Sequence, residues 1–416
     1  MDILYPRCAG LDVHKRNVVA SGITPDTTGK SAKSRQETRS FSTMTVDLLS
    51  LCDWLESQGI THVAMESTGE FWKPVYNILE GHFEILVVNA KHVKNVPGRK
   101  TDVKDAEWLA QLLQVGLLKA SFVPCAGQRQ MRDLTRHRST FIRERATLVN
   151  RVQKVLETAN IKLACVATDV LGVSGRAILD ALIAGETDPK AMAELSKGRM
   201  RDKRAALEQA LVGRVNGVHR FVLGELLCQI DSLDESIARF DTEIEKVMAP
   251  FEEAVALLDT IPGVAQSAAE VILSEIGIDM GHFGSFGRLC AWAGVAPGNH
   301  ESGGKRLSGR VRQGNHALRT VLVQCAHAAA RTKGTYLRSL FHRLAARRGK
   351  PRAILAVAHS ILVSIYHMLV RKEPYEDLGH DYLDRLRPEA TTRRLVVRLE
   401  ALGFEVALQP KVVVPA

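Results

Sequence analysis

The sequence predicts an α/β plus α protein: an N-terminal domain on a mixed sheet, then long coiled-coil helices, then a C-terminal helical domain. Three observations carry this. Residues 7–125 alternate short β-branched runs with amphipathic segments. Residues 223–247 place apolar side chains at strict heptad spacing. From residue 255 onward the apolar pattern has helical period, with glycine and proline at its breaks.

Taken in order, Cys8–Val13 and Asn17–Ile23 read as strands joined by a tight turn at His14-Lys15-Arg16, and Thr38–Thr43 as a third. Val46–Gln58 has helical periodicity through Leu48, Leu49, Leu51, Cys52 and Leu55. Ile60–Met65 and Glu84–Val88 are apolar and β-branched enough for strands, with a helix over Phe71–Leu79 between them. Pro97-Gly98 breaks the next segment, and a helix is expected from about Thr101 to Leu113.

The stretch 128–160 is expected to be one long polar helix. Its seam of Met131, Leu134, Phe141, Leu148, Val152 and Val155 is interrupted by Arg138 and Arg145. Leu223, Leu226, Ile230, Leu233, Ile237, Phe240, Ile244 and Val247 then repeat at alternating spacings of three and four, the a/d signature of a coiled coil. Pairing within one chain and between chains are both compatible with that spacing. Short helices fill 161–214, where no chemistry is read. Leu257–Ala265 followed by Ser267–Ile276 resembles a helix–hairpin–helix, whose hairpin offers backbone N–H groups to a DNA phosphate. Ala265 stands where a second hairpin glycine is usual, so a plain helical packing unit is the competing reading. The domains expected are thus 7–125, 128–250 and 255–372, with a peripheral tail over 373–416.

The seven cysteines are scattered and none forms a CxxC pair, so neither zinc nor disulfides are signalled and any metal is expected on oxygen ligands. No stretch is read as a membrane span and no leader is seen, so a cytoplasmic protein is expected. Net charge is +10, and residues 302–372 hold 15 Lys or Arg and no Asp or Glu. A charge run is commonly a solvated face, but here nothing local balances it. Such a field draws in polyanions, nucleic acid before acidic proteins or lipid surfaces.

Four acids stand out. Asp12 ends the first strand and Glu66 follows the strand Val63-Ala64-Met65, while Asp102 and Asp105 lie three apart, on one face of a helix's first turn. Singly each has a plain explanation: strand-end acids form turns, and Asp102 with Asp105 suits a helix cap. Together they fit phosphoryl transfer. Two divalent ions stabilise the attacking and leaving oxygens of an in-line displacement, and magnesium prefers carboxylate oxygen.

Leu11-Asp12-Val13-His14-Lys15, Met65-Glu66-Ser67-Thr68-Gly69 and Lys100-Thr101-Asp102 through Asp105-Ala106 resemble the three blocks of the DEDD insertion-sequence transposases, the bridge-RNA-guided recombinases. The resemblance implies a ribonuclease H-like (RuvC-like) N-terminal domain and makes Asp12, Glu66, Asp102 and Asp105 the ligands of Mg2+, two ions by the mechanism above. Ala293-Gly294-Val295-Ala296-Pro297-Gly298 and Ser302-Gly303-Gly304-Lys305 are similar to that family's C-terminal transposase domain. By composition the segment is a glycine-rich basic loop before a helix near Asn315, and Ser302 a turn hydroxyl. The resemblance makes Ser302 a nucleophile joined transiently to a DNA end, with Ser308 its rival. Lys305, Arg306, Arg310, Arg312 and Arg319 are the candidate phosphate contacts. A guide RNA, element-end and target DNA, and a homo-oligomer with a site composed across protomers are implied by the same resemblance.

Two other functions remain open on the residues alone. A junction-resolvase type nuclease would need the carboxylates but not Ser302, and an architectural nucleic-acid-binding protein would need neither.

Overall fold

The computed structural model describes residues 3–26, 34–67, 69–89, 105–298, 300–311, 313–386 and 388–409. The chain forms two compact units, Met1–Pro124 and Cys125–Ala416.

In the first unit, β1 (Cys8–Val13), β2 (Asn17–Thr24), β3 (Arg35–Ser42), β4 (His62–Glu66) and β5 (Glu84–Val88) make one five-stranded sheet in the order β3-β2-β1-β4-β5. β1 runs antiparallel to β2 and parallel to β4, and β4 is parallel to β5. The fold is therefore the expected mixed α/β sheet. β3 begins three residues before the expected Thr38, because its pairing with β2 continues to Arg35 opposite Thr24. Its sequence RQETRSFS lacks apolar alternation, which a charged edge strand does not require.

The two faces of this sheet are covered differently. Leu11, Val13, Val63 and Met65 pack with Leu48, Leu51, Trp54 and Leu55 of α1 (Thr45–Ser57) and with Val75 and Leu79 of α2 (Trp72–Leu79). Cys8 and Ala64, on the opposite face, pack with Ala110 and Leu113 of α3 (Asp105–Gln114). Side chains two apart on a strand share a face, so Gly10 and Asp12 lie on Cys8's side and Glu66 on that of Ala64.

The second unit is helical apart from one small hairpin. α4 (Ala126–Thr158) runs beside α9 (Gly217–Met248), so the coiled coil is made within the chain. The two arginines that interrupt the α4 seam bond to acids on α9, Arg138 to Asp241 and Arg145 to Asp234. The heptad seam is unevenly buried: Leu223, Leu226 and Ile230 are buried, whereas Leu233, Ile237 and Phe240 are only half-buried. Between the long helices, α5 (Leu163–Val166), α6 (Val173–Ala184), α7 (Pro189–Glu194) and α8 (Arg204–Ala210) pack over the tips, with Ile178, Leu179, Leu182 and Leu207 in one core with Val152, Leu156 and Leu223.

Beyond them lie α10 (Glu252–Asp259), α11 (Gln266–Ile276), α12 (Phe286–Ala293), α13 (His316–Ala329), α14 (Tyr336–Arg348) and α15 (Lys350–Arg371). α10 and α11 flank the turn read as a helix–hairpin–helix. Gly263 in that turn has φ +88, and a Cβ there would stand 2.5 Å from Ala329 N, so this glycine serves close packing against α13. α15 is long and apolar enough to cross a membrane, which corrects the expectation that no run reaches that length. Eight of its residues, Ala353 to Met368, are buried in the unit's core. A short α16 (Tyr382–Arg385) and α17 (Pro388–Glu400) complete the described chain, and no residue of α17 is buried.

Candidate active site

The acidic site is built on a close approach at Gly10. A Cβ at Gly10 would stand 2.2 Å from Ala106 O and 2.4 Å from Ala110 N, so only glycine lets α3 lie this deep on β1. The helix runs against the strand: Leu4 N–H and Tyr5 N–H donate to Gln114 O, the Cys8 thiol lies on Ala110 O, and Gly10 abuts Ala106. Two strand residues advance about 6.6 Å and four helix residues about 6 Å, so strand and helix stay in step. Asp105, the first residue of α3, therefore starts the helix at the same end of the sheet as Asp12.

β1 and β4 are parallel with Leu11 opposite Met65. The next residues, Asp12 and Glu66, follow side by side at the carboxyl ends of neighbouring strands, on the face that α3 covers. Asp12 is one-quarter exposed, and its Oδ2 lies 3.1 Å from His14 Nε2. Glu66 pairs in register with Val88 of β5, and Ser67 N–H donates to Val88 O, ending the strand there. The backbone thus brings the strand ends that carry Asp12 and Glu66 and the first residue of α3, Asp105, to one end of the sheet, though their carboxylates do not form a group within 4.8 Å of one another among the described residues. Asp102 lies outside the described residues.

The second candidate group lies in the other unit. The region expected as a loop is a β-hairpin, β6 (His300–Ser302) and β7 (Lys305–Ser308). Gly303 and Gly304 form its turn with φ +55 and +74, a left-handed pair that glycine adopts without strain. Ser302 is in register with Lys305, and both are exposed. Cross-strand partners project to one side, so the Ser302 hydroxyl and the Lys305 ammonium share a face. Ser308 Oγ accepts from Arg310 N–H at 3.1 Å and so terminates the hairpin, while no such bond is made by Ser302 among the described residues. Arg310 is exposed and Arg319 half-buried on the first turn of α13; the Arg306 backbone pairs with Glu301, and Arg312 lies outside the described residues.

Two family models match the chain. One, described as a transposase and built on the DEDD enzymes of IS110 elements, matches residues 9–161. The other, the transposase IS116/IS110/IS902 family, matches residues 255–345. The chain belongs to the IS110-type DEDD transposases. As such it is an enzyme that cuts and rejoins DNA. It is 26% identical over 298 residues to the "Transposase for insertion sequence element IS1111A" of Coxiella burnetii, covering 70% of this chain and 72% of that one. It is also 25% identical over 306 residues to the "Probable family 20 transposase" of Pseudomonas aeruginosa, covering 71% and 79%.

The two matches leave residues 162–254 of the transposase between them, the stretch that holds α5 to α8 and the returning helix α9. One further group of potential ligands carries no signal in the sequence. Cys52 Sγ, a Glu56 carboxylate oxygen and a His82 ring nitrogen lie within 4.8 Å of one another, with His82 Nδ1 2.8 Å from Glu56 Oε1. Cys52 and Glu56 share a face of α1 by their spacing of four, but nothing in the sequence announces His82, which follows α2. This group sits under the other face of the sheet from Asp12, and it widens the expectation that metal ligands here are oxygen alone.

Proposed function

We propose that this transposase holds two magnesium ions with Asp12, Glu66, Asp102 and Asp105 and cuts DNA with Ser302 as nucleophile. The observation that carries the proposal is the side-by-side arrangement of Asp12 and Glu66 at the strand ends to which Gly10 admits the helix of Asp105. The strand order, with two antiparallel and two parallel pairings, supports a ribonuclease H-like reading of this unit. The donor set fits hard divalent cations: it is all carboxylate, and such acids repel one another without a cation. Bound there, magnesium would neutralise charge on the phosphate and stabilise the departing oxygen.

The chain's own groups divide the remaining work. Ser302 Oγ forms a bond to phosphorus as one bridging P–O bond breaks, leaving the serine esterified to one DNA end and a hydroxyl on the other. The serine proton passes to a base and the departing oxygen gains one. Attack by a DNA hydroxyl on that phosphoserine reverses the exchange, joins the strand and frees Ser302. Lys305 lies beside the hydroxyl and counters charge on the phosphate, and Arg306, Arg310, Arg312 and Arg319 bind phosphates along the backbone. The enzyme works in the cytoplasm as a homo-oligomer on element ends and target DNA, with an element-encoded RNA as guide; the acid-free basic run 302–372 supports a polyanionic partner.

The test is a denaturing assay for protein–DNA adducts with magnesium present. Ser302→Ala should abolish the adduct and Ser308→Ala should not. Asp12→Asn, Glu66→Gln, Asp102→Asn and Asp105→Asn should each cut strand cleavage at least about 10²–10³-fold while DNA binding persists. Cleavage that persists in Ser302→Ala would mean water is the nucleophile, as in a junction resolvase. Full activity in all four acid variants would end the metal assignment.

A further inference from the structure

Glu275 is fully buried, yet it is a carboxylate at the end of α11, more than twenty residues from the serine hairpin. Arg136 of α4 grips it with two bonds, Nε to Oε1 at 2.7 Å and an NH2 to Oε2 at 2.9 Å. Arg132, one turn earlier, lies 3.3 Å from Oε2 and also donates to the backbone carbonyls of Ser274 and Glu275. Burial holds the Arg132 guanidinium down to about 10, against the pull of Glu275, and the group lies over the Trp292 ring, 5.8 Å from its centroid.

The fourth member is Asn315, which ends the hairpin segment and starts α13. Its Nδ2 donates to Glu275 Oε2 at 2.6 Å. Its Oδ1 caps α13 by accepting from Leu318 N–H at 3.0 Å, and its own N–H donates to Trp292 O at 3.0 Å. Both ends of the amide are therefore used, and a flipped side chain would lose both bonds. The hairpin's stem is closed by two backbone contacts in the residues before Asn315. A Cβ at Gly298 would stand 2.1 Å from Arg310 O, and one at Gly314 2.3 Å from Gly294 N.

A buried ion pair is a poor device for stability alone, since apolar side chains of similar volume often do as well or better. What it supplies is direction and a single register. We propose that Glu275 and Asn315 are positioning residues, which pin the exit of the Ser302 hairpin to α11 and α4 so that the hydroxyl meets the phosphate in one orientation. This rests on the assignment of Ser302 as nucleophile.

Adduct formation is measured at saturating DNA, with the half-saturating DNA concentration and the melting temperature read alongside. Asn315→Ser keeps a helix-cap oxygen but removes the amide NH2 that reaches Glu275. Its adduct rate should fall about 10–100-fold with half-saturation and melting little changed, the loss expected of misoriented reactants. Asn315→Asp sets a carboxylate against Glu275 and should fall further. Wild-type rates in Asn315→Ser, or a rate loss that only tracks a fall in melting temperature, overturn the positioning role. If the wild type forms no adduct that depends on Ser302, the nucleophile assignment itself falls, and this proposal with it.

Discussion

Gly10 and Ala106 are in backbone contact across the sheet–helix interface: a methyl group on the first would stand 2.2 Å from the carbonyl oxygen of the second. The depth of α3, and hence the height of Asp105 over the strand ends, is set at that point. Gly10→Ala should destabilise the first unit by about 1–3 kcal/mol, the usual cost of overpacking. The activity loss should exceed what the folded fraction explains, because the helix must lift. Thermal melting beside an excision assay checks this. A Gly10→Ala protein with normal melting and normal excision would show that α3 can move without consequence.

Lys305 and Arg310 are both exposed near the hairpin. If each contacts one phosphate, Lys305→Ala or Arg310→Ala should weaken DNA binding at low salt and lower the slope of log K against log salt by about 1. Titrations by fluorescence anisotropy at several salt concentrations measure that slope. An unchanged slope means that the residue is not at the backbone.

Glu270 on α11 is nearly buried, and burial raises its carboxyl above the usual range, offset in part by the Gln266 amide at 3.2 Å. With the folded value raised, the folded state favours the proton. Stability tied to that proton is complete below the ordinary glutamate range and lost as pH climbs through the folded value. Glu270→Gln keeps an acceptor for Gln266 and carries no charge. It should melt higher than wild type at pH 7, and the advantage should shrink as the pH is lowered into the carboxylate range. A gain independent of pH would point to another cause.

Gly263 combines φ +88 with backbone contact to α13. Gly304 has φ +74, and a methyl group there would meet nothing within 4 Å. Both alanine variants suffer the left-handed penalty of about 1–2 kcal/mol. Gly263→Ala should lose about 1–3 kcal/mol more through overpacking, as denaturant melts would record. Equal losses would show that α13 yields.

Much of the first unit is legible in the sequence because its strands carry β-branched runs and its helices an apolar face. Asp12 and Glu66 can be picked out by their places at strand ends. That they stand in register cannot, since parallel pairing is set by the whole sheet. Gly10 looks like an ordinary strand glycine; only the helix packed on it reveals its use. The serine hairpin reads as a loop because Ser302 to Ser308 contains one apolar residue, Leu307, and two glycines, which carry little strand signal. Glu275 is invisible for the opposite reason. It lies inside a run, Val271-Ile272-Leu273-Ser274-Glu275-Ile276, that reads as apolar, and its partners come from positions 132, 136 and 315. Apolar period in α15 is legible as helix, but its charge-free run from Ala353 to Val370 is broken by polar side chains and does not stand out as a possible span.

The length of α4 has a mechanical corollary. Its 33 residues make a rod of about 50 Å, anchored at one end by Arg132 and Arg136 and carrying α5 to α8 at the other. Tilting such a rod by about 5° would sweep its far end by roughly 4 Å. Lys197, Arg199 and Arg201 are all exposed on that end. Any such tilt would be felt at the arginines that clasp Glu275, at the opposite end of the same helix.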